Sequence, residues 1–272
     1  PGYGYIAISA KRVPALKVRE GLMHLMTREQ AVNTYYGELA QVIERPITPR
    51  LAEYPQDAEE YLGYDKEKAL ACFLEAGYVQ ENGKLMKDGK QLSVEVAIGD
   101  ASSHPSTPIL TQMKSDMEEL GAELIISDVD SSILFNRMNN DDVDMWVAAW
   151  GNSTDCDLTQ IFGSEFTKAC GSNRTWVQDA KVDDLLQQVM QTLDFDKRKE
   201  NIVDLIFDDV FKFNSNIFSY SKEQIKKYFN NVTMLENDPE LLETLKKTGI
   251  NFEVNIKSDP QKAEQLEIYN KL

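Results

Sequence analysis

The sequence contains few of the residues that build metal centres and catalytic sites. It has three cysteines and two histidines among 272 residues, no CxxC pair, and no histidine near a cysteine. A zinc site of spaced thiolates and imidazoles is therefore not expected. Phosphate-binding GxGxxG and GxxxxGKS/T loops and a GxSxG nucleophile elbow are also missing, which argues against nucleotide-dependent and hydrolase chemistry. We expect no catalytic residue, no cofactor and no metal.

Positive charge and long apolar runs are scarce as well. Lys and Arg total 29 against 45 Asp and Glu, which gives a formal net charge of −16 and a pI near 4.6. Nucleic-acid binding needs clustered cations that displace counterions from phosphates, so no nucleic-acid partner is expected. No stretch approaches the roughly 18 consecutive apolar residues of a membrane-spanning helix.

The three cysteines have different surroundings in the sequence. Cys72 falls in an amphipathic helix pattern and is expected to be a small buried residue. Cys156 and Cys170 flank a segment short enough to be closed by a disulfide. The sequence leaves a bridge and two free thiols equally open.

Several helix starts are marked by capping residues. Thr27 and Gln30 predict a capping box, and Asp65 predicts the start of a helix that stops at Gly77. A capping residue followed by proline, a strong start signal, occurs at three places: Thr107, Asp238 and Asp259.

Strand and helix patterns alternate in the middle of the chain. The predicted elements are strand 92–98, helix 107–121, strand 123–129, helix 131–138 and strand 144–150. Such alternation favours an α/β fold in which neighbouring strands are parallel. Ligands usually bind at the carboxyl ends of such strands, so the loops there are the first places to look for a site.

The remaining elements divide the chain into two expected parts. Residues 1–8 are typical of a strand entered in mid-fold, which suggests that an N-terminal part is missing. Further predicted elements are helices 157–166, 182–193 and 194–213, strand 216–220, helix 239–247, strand 252–256 and helix 260–269. We expect a ligand-binding lobe at 1–222 and a C-terminal α+β tail at 223–272.

Short phrases follow one another in a fixed order between Tyr5 and Tyr220. They are Val18-Arg19-Glu20-Gly21-Leu22, Thr27-Arg28-Glu29-Gln30-Ala31-Val32, Tyr64-Asp65 with Lys66-Glu67-Lys68-Ala69, Glu75-Ala76-Gly77-Tyr78, Leu120-Gly121, Asp144-Met145 with Ala149-Trp150-Gly151, Val182-Asp183-Asp184-Leu185-Leu186, and Asp196-Lys197-Arg198. Each phrase is weak alone, but their order and spacing resemble the large solute-binding proteins of oligopeptide and dipeptide importers.

This resemblance implies a fold and a role. The fold is a periplasmic-binding-protein-like type II lobe, with a mixed, mainly parallel sheet flanked by helices. The chain would supply the C-terminal lobe of a two-lobed clamp, and the missing N-terminal lobe would supply the opposite wall. The implied role is an extracytoplasmic, lipid-anchored receptor that delivers a peptide, or else a sugar or a chelated metal, to the permease subunits of an ABC importer.

The turn after strand 144–150 is the first candidate for ligand contacts. Trp150 offers a flat apolar wall and Gly151 a close backbone approach. Four polar residues follow: Asn152, Ser153, Thr154 and Asp155. Their side chains suit a peptide backbone or an ammonium group. The alternatives are that Trp150 is a core residue and that Asp155 caps the next helix.

Four further residues are candidates. Arg137 stands within one position of an arginine that some members of the resembled family use for a ligand carboxylate, and its alternative is a helix-surface arginine beside an acidic turn. Ser103 and His104 follow strand 92–98 and would line the same crevice, although His104 also suits a plain loop position. Tyr220 would reach the cleft with its hydroxyl, or else be an ordinary half-buried tyrosine.

Two other classes of function stay open at this point. An intracellular α/β enzyme would share the alternating elements but lacks a recognisable catalytic motif. A peptide sensor or chaperone would share the binding fold without transport.

Overall fold

The computed structural model describes residues 2–47, 49, 51, 54, 62–151, 157–168, 171–206 and 215–219. Contacts divide the chain into the units Pro1–Tyr220 and Ser221–Leu272, and all described residues belong to the first. Several predicted positions lie outside the described residues: Asn152, Ser153, Thr154, Asp155, Cys156, Cys170, Tyr220 and the tail elements. The lobe at 1–222 and the tail at 223–272 stay predictions.

Strands and helices alternate along much of the described chain. The strands are β1 Gly2–Ile8, β2 Gln41–Ile43, β3 Val79–Glu81, β4 Lys84–Lys87, β5 Lys90–Gln91, β6 Ser93–Ile98, β7 Glu123–Asp128, β8 Met145–Gly151 and β9 Ser215–Ser219. The α-helices are α1 Leu16–His24, α2 Arg28–Tyr35, α3 Lys66–Glu75, α4 Thr107–Leu120, α5 Ser131–Asn139, α6 Thr159–Phe162, α7 Ala180–Gln191 and α8 Phe195–Ile206. Short 3₁₀ turns cover Gly37–Leu39 and Ser164–Thr167. Among the described helices, none combines the length and apolar character that crossing a membrane requires.

The main sheet has six strands in the order β2-β9-β1-β8-β6-β7. β7 and β8 flank β6 and run parallel to it, as the strand-helix alternation predicts. β1 pairs antiparallel with β8 and β9, and β2 pairs antiparallel with β9. The α/β fold with a mixed, helix-flanked sheet is confirmed. Its parallel part is limited to three strands, because the other half is completed by strands distant in sequence, whose pairing no local pattern reveals.

The two faces of the parallel strands carry separate cores. Because side chains alternate along a strand, Val94, Val96 and Ile98 of β6 join one buried cluster with α1, α3 and α4. Ala97 faces the other side and joins Trp146 and the α5 residues Leu134 and Met138. α4 and α5 therefore lie on opposite faces of the sheet.

The helix signals gave mixed results. Asp65 caps α3 as predicted, since its carboxylate accepts the Lys68 backbone N–H at 2.9 Å. The capping box at Thr27 is wrong, because the Thr27 side chain makes no capping hydrogen bond. The predicted helix 157–166 is broken at Gly163, where an added Cβ would lie 2.8 Å from the Thr159 carbonyl oxygen.

A second sheet, β3-β4-β5, was not predicted. Its strands have two to four residues and pair antiparallel. The connecting turns are Asn82-Gly83 and Asp88-Gly89, and all four residues have positive φ between 50° and 77°. This geometry is the type that favours Asn-Gly and Asp-Gly in tight hairpins.

Candidate ligand-binding site

An aromatic wall is formed where β1 pairs with β8. The register places Tyr3 opposite Trp150, and Ala7 opposite Trp146. Alternation along the strands brings Tyr3, Tyr5, Trp146 and Trp150 to the same face of the sheet. The rings of Tyr3 and Tyr5 are tilted, with centroids 5.9 Å apart.

This wall borders a small cavity, here called the aromatic pocket. Its lining comprises Tyr3, Tyr5, Trp146, Trp150, Ile161, Phe162, Ser172, Arg174 and Thr175. The cavity volume is about 20 Å³, which has room for about one water molecule or one small chemical group. A larger solute would therefore place only one of its groups here and extend beyond the pocket.

The segment 171–177 contributes three residues to the pocket lining and is held in place by hydrogen bonds. The side chain of Asn173 is fully buried, and its amide donates to the carbonyl oxygens of Gly163 at 3.0 Å and Val177 at 2.8 Å. The Ala10 backbone N–H donates to the Thr175 carbonyl oxygen at 2.7 Å. These bonds hold Ser172, Arg174 and Thr175 beside the aromatic wall.

The polar side chains of the lining are two indoles and a guanidinium, which only donate hydrogen bonds, and four hydroxyl groups, which both donate and accept. Burial raises the pKa of Tyr5, and a side-chain hydrogen bond with Trp146 opposes that rise. The charged side chain of the lining is Arg174, which donates to the Lys168 carbonyl oxygen at 3.4 Å. The lining contains no carboxylate among the described residues.

Trp150 and Gly151 lie at the edge of the described part of this region. Trp150 is half-buried, lines the pocket and packs against the clusters that contain Ile161 and Tyr3. Gly151 is exposed, and a Cβ added there would meet nothing within 4 Å. Backbone access at Gly151 is thus open, while the ligand-binding role of both residues stays a prediction.

Arg137 lies elsewhere and already has a partner. Its guanidinium contacts both oxygens of Glu95, at 2.7 and 2.8 Å, and the Asp142 carbonyl oxygen at 2.6 Å. This ion pair lowers the pKa of Glu95 to about 2. Arg137 is in the last turn of α5, so it sits toward the amino ends of the parallel strands. Arg137 does not line the aromatic pocket, and its contact with a ligand stays a prediction.

Ser103 and His104 lie in the loop after β6 and do not line the aromatic pocket. The Ser103 hydroxyl donates to Asp100 at 2.8 Å. The Ser106 backbone N–H donates to His104 Nδ1 at 3.1 Å, and burial lowers the pKa of His104. Both residues are engaged in the turn itself, and their contact with a ligand stays a prediction.

The sequence analysis missed most of the pocket. The sequence patterns did not single out seven of the lining residues, which are Tyr3, Tyr5, Trp146, Ile161, Phe162, Ser172 and Thr175. The spacing of Tyr3 with Tyr5 and of Trp146 with Trp150 indicates a shared face within each strand, but not that the two strands are neighbours. No group of three or more His, Cys, Asp or Glu suited to a metal ion occurs in the described residues.

Comparisons with known proteins agree with this fold. A family model for bacterial extracellular solute-binding proteins, family 5 Middle, matches residues 2–166. A comparison with curated proteins found no match. Among solved structures, the chain is similar to the oligopeptide-binding protein AppA from Bacillus subtilis in complex with a nonapeptide, with 25% identity and a TM-score of 0.70 over 81% of this chain and 46% of AppA.

Two further structures share the fold at lower identity. NikZ from Campylobacter jejuni, in complex with Ni(L-His), has 21% identity and a TM-score of 0.66 over 81% of this chain and 46% of NikZ. Lactococcal OppA, complexed with an endogenous peptide, has 15% identity and a TM-score of 0.68 over 82% of this chain and 47% of OppA. The chain thus spans less than half the length of these proteins. The family match covers more than half of the chain, and the chain therefore belongs to the bacterial extracellular solute-binding proteins of family 5.

Proposed function

We propose that this chain forms one wall of a ligand cleft in an extracytoplasmic receptor, which binds a peptide and delivers it to the permease of an ABC importer. Family membership supports solute binding as the general role. Similar structures hold peptides in two cases and a nickel complex in a third, so a chelated metal is the second candidate for the ligand. Lipid anchoring of the complete protein belongs to the same proposal.

The observation that carries the proposal is the position of the aromatic pocket. It lies along one face of β8 and β1, from Trp146 near the amino end of β8 to Trp150 near its carboxyl end, where the chain leaves the sheet at the side on which α/β proteins usually hold ligands. Its aromatic side chains offer flat apolar surface, and hydroxyl, indole and guanidinium groups lie among them. The volume is too small to enclose a peptide, which fits a cleft whose second wall comes from another lobe.

Mass spectrometry of small molecules that co-purify with the complete protein tests the proposal. We expect short peptides to be released on denaturation. A nickel complex in their place would favour the second candidate. A preparation with no bound solute, together with no binding to a mixed peptide library, would contradict a receptor role.

Trp150→Ala should weaken binding of the recovered solute by more than about 1 kcal/mol, as is typical of an aromatic anchor in a binding site. Isothermal titration calorimetry measures this loss. Phe135→Ala is the matched control, because Phe135 is an exposed aromatic on α5 outside the pocket. Equal affinities of the two variants and the wild type would assign Trp150 to the core.

A further inference from the structure

We propose that Lys11, Trp176 and Asp141 form a latch that ties segment 171–177 to the loop after β1 and to the turn before β8. Lys11 and Trp176 thereby position part of the aromatic pocket for solute binding, although neither residue lines it. This role rests on the proposed function, because it assigns positioning residues to that binding site.

The three side chains of the latch meet at the ammonium group of Lys11. Its Nζ atom lies 4.0 Å from the centroid of the Trp176 ring and 2.9 Å from Asp141 Oδ2. The π electrons of an indole attract a cation over the ring, and the neighbouring carboxylate attracts it as well. Because the three residues come from three separate segments of the chain, one cation joins all three.

The carboxylate end of the latch is fixed by burial. The Asp141 side chain is 8% exposed, and its Oδ1 atom accepts from the hydroxyl of the fully buried Ser9 at 3.1 Å. The Lys11 side chain is by contrast 56% exposed, and an exposed ion pair contributes little to the stability of a whole protein. Loss of the ammonium should therefore leave the fold intact and release only segment 171–177.

A backbone hydrogen bond beside the latch connects it to the pocket lining. The Ala10 N–H donates to the Thr175 carbonyl oxygen at 2.7 Å, and these two residues directly precede Lys11 and Trp176. Thr175 lines the pocket. Release of the Trp176 ring would act on the backbone of this lining residue, and exchange of the Ala10 amide hydrogen would report the opening.

The backbone of Trp176 has an unfavourable conformation. Its φ is 56°, in the left-handed region that glycine adopts freely and that a residue with a bulky side chain adopts at a cost in free energy. Such a conformation persists only where surrounding contacts offset its cost. The contact of the Trp176 ring with Lys11 is of this kind, and glycine at this position would lack it.

Hydrogen–deuterium exchange of the complete protein, measured by mass spectrometry at single-residue resolution, tests the latch without a solute. Lys11→Met removes the ammonium but keeps an unbranched apolar stem, and it should speed exchange of the Ala10 amide at least about fivefold. The Val96 amide, in the middle of β6, should keep its wild-type rate. Lys11→Arg retains the charge and stacks on the ring, so its Ala10 rate should stay within about twofold of the wild type.

The control for the loss of a charge is Lys68→Met, because Lys68 is also an exposed lysine with an ion-pair partner but lies outside the latch. It should leave the Ala10 rate unchanged. An unchanged Ala10 rate in Lys11→Met would overturn the inference, and so would an equal rise at Ala10 and Val96, which would indicate a loss of global stability.

Trp176→Gly tests the other end of the latch. It removes the ring and also relieves the backbone strain, so a turn that needs only its backbone conformation would show slower or unchanged exchange at Ala10. The latch predicts the same rise as in Lys11→Met. Because the two side chains act on each other, the double variant should exchange within about twofold of the single variants. Multiplied single effects would show that Lys11 and Trp176 act independently, which would overturn the inference.

Peptide binding separates a positioning role from a merely local structural one. The complete protein with Lys11→Met should retain at least about threefold less of a mixed peptide library than the wild type, because its pocket is less well preorganised, while its urea midpoint stays unchanged. Lys11→Arg should retain as much as the wild type. Faster Ala10 exchange with full peptide retention would refute the positioning role. Failure of the wild type itself to bind peptides would contradict the receptor proposal, whereas the exchange rates would still decide whether the latch exists.

Discussion

Asn173 holds the wall of the aromatic pocket through hydrogen bonds to two buried carbonyl groups. Asn173→Ala would leave the Gly163 and Val177 carbonyl oxygens without this donor. We expect the free energy of unfolding to fall by about 1–3 kcal/mol, the usual cost of a buried polar group left unpaired. Urea titration measures the change. Asn139→Ala, at an exposed position of α5, is the control and should stay within about 0.5 kcal/mol of the wild type.

The sequence predicts the surroundings of some side chains but not those of others. Trp150 could be placed near a crevice because it ends a strand that is parallel to its neighbour. Trp146 could not, because its environment depends on β1, which precedes it by more than 130 residues and pairs with β8 in one specific register. Arg137 shows the same limit, since Glu95 lies on a different element and in a different part of the sequence.

Helices α1 and α3 approach each other closely at Gly21. A Cβ added at Gly21 would lie 2.6 Å from Phe73 Cε1 and 3.0 Å from the Ala69 carbonyl oxygen. Gly21→Ala should therefore lower the free energy of unfolding by about 1–3 kcal/mol, the typical cost of overpacking a core. Thermal and urea unfolding provide the measurement.

Phe73→Leu tests the cause of that loss. A smaller side chain at this fully buried position frees space for the new methyl group, so the double variant should be less destabilised than the two single changes summed. Strict additivity would show that Phe73 is not the obstacle. Gly63→Ala is the matched control, because a Cβ there meets nothing within 4 Å.

Whole elements were predictable where their signals are local. The helix capped by Asp65 and the helix that ends at Gly121, which has a φ of 84°, follow from residues within the element. The turns at Asn82-Gly83 and Asp88-Gly89 carry an equally strong hairpin signal. The hairpins were still not predicted, because the strands that these turns connect are so short. The helix predicted at 157–166 is interrupted because the backbone of Gly163 is extended, with φ −65° and ψ 136°, and its carbonyl oxygen accepts from Asn173.

The arrangement of the sheet as a whole was predictable only in part. Alternation of strands and helices correctly indicated that β6, β7 and β8 are parallel. The antiparallel strands β1, β9 and β2 complete the sheet from the two ends of the described unit, and sequence spacing carries no information about such distant pairings. The aromatic pocket depends on one of these pairings, which is why family resemblance located Trp150 while the rest of the pocket required coordinates.

Charged groups also connect elements across the sheet, with Glu95 of β6 at the centre. Its carboxylate accepts from Arg137 of α5 and from the Ser127 hydroxyl of β7 at 2.5 Å. Asp144, just before β8, accepts from the Glu95 backbone N–H at 2.8 Å and from Arg12 Nε at 2.7 Å. These bonds link the end of β1 to the parallel strands and to α5.

The ionised state of Glu95 should make stability depend on acid. The pKa of Glu95 is lowered from 4.5 to about 2, chiefly by Arg137, so the folded state holds fewer protons than the unfolded state between these values. The stabilisation is complete above pH 4.5 and is lost as the pH falls toward 2. The carboxylate side chain is 27% exposed, and solvent screening limits the expected contribution to about 1–2 kcal/mol.

Comparison of Glu95→Gln with the wild type isolates this contribution from that of all other carboxylates. We expect the variant to be less stable by about 1–2 kcal/mol at pH 6, and we expect the difference to shrink steadily below pH 4.5 as the wild-type carboxylate takes up its proton. Urea titrations at a series of pH values measure both quantities. Glu81→Gln, at an exposed position of β3, should show little difference at any pH. A Glu95→Gln deficit that stays constant down to pH 3 would mean that the geometry of the side chain, and not its charge, stabilises this junction of strands and helix.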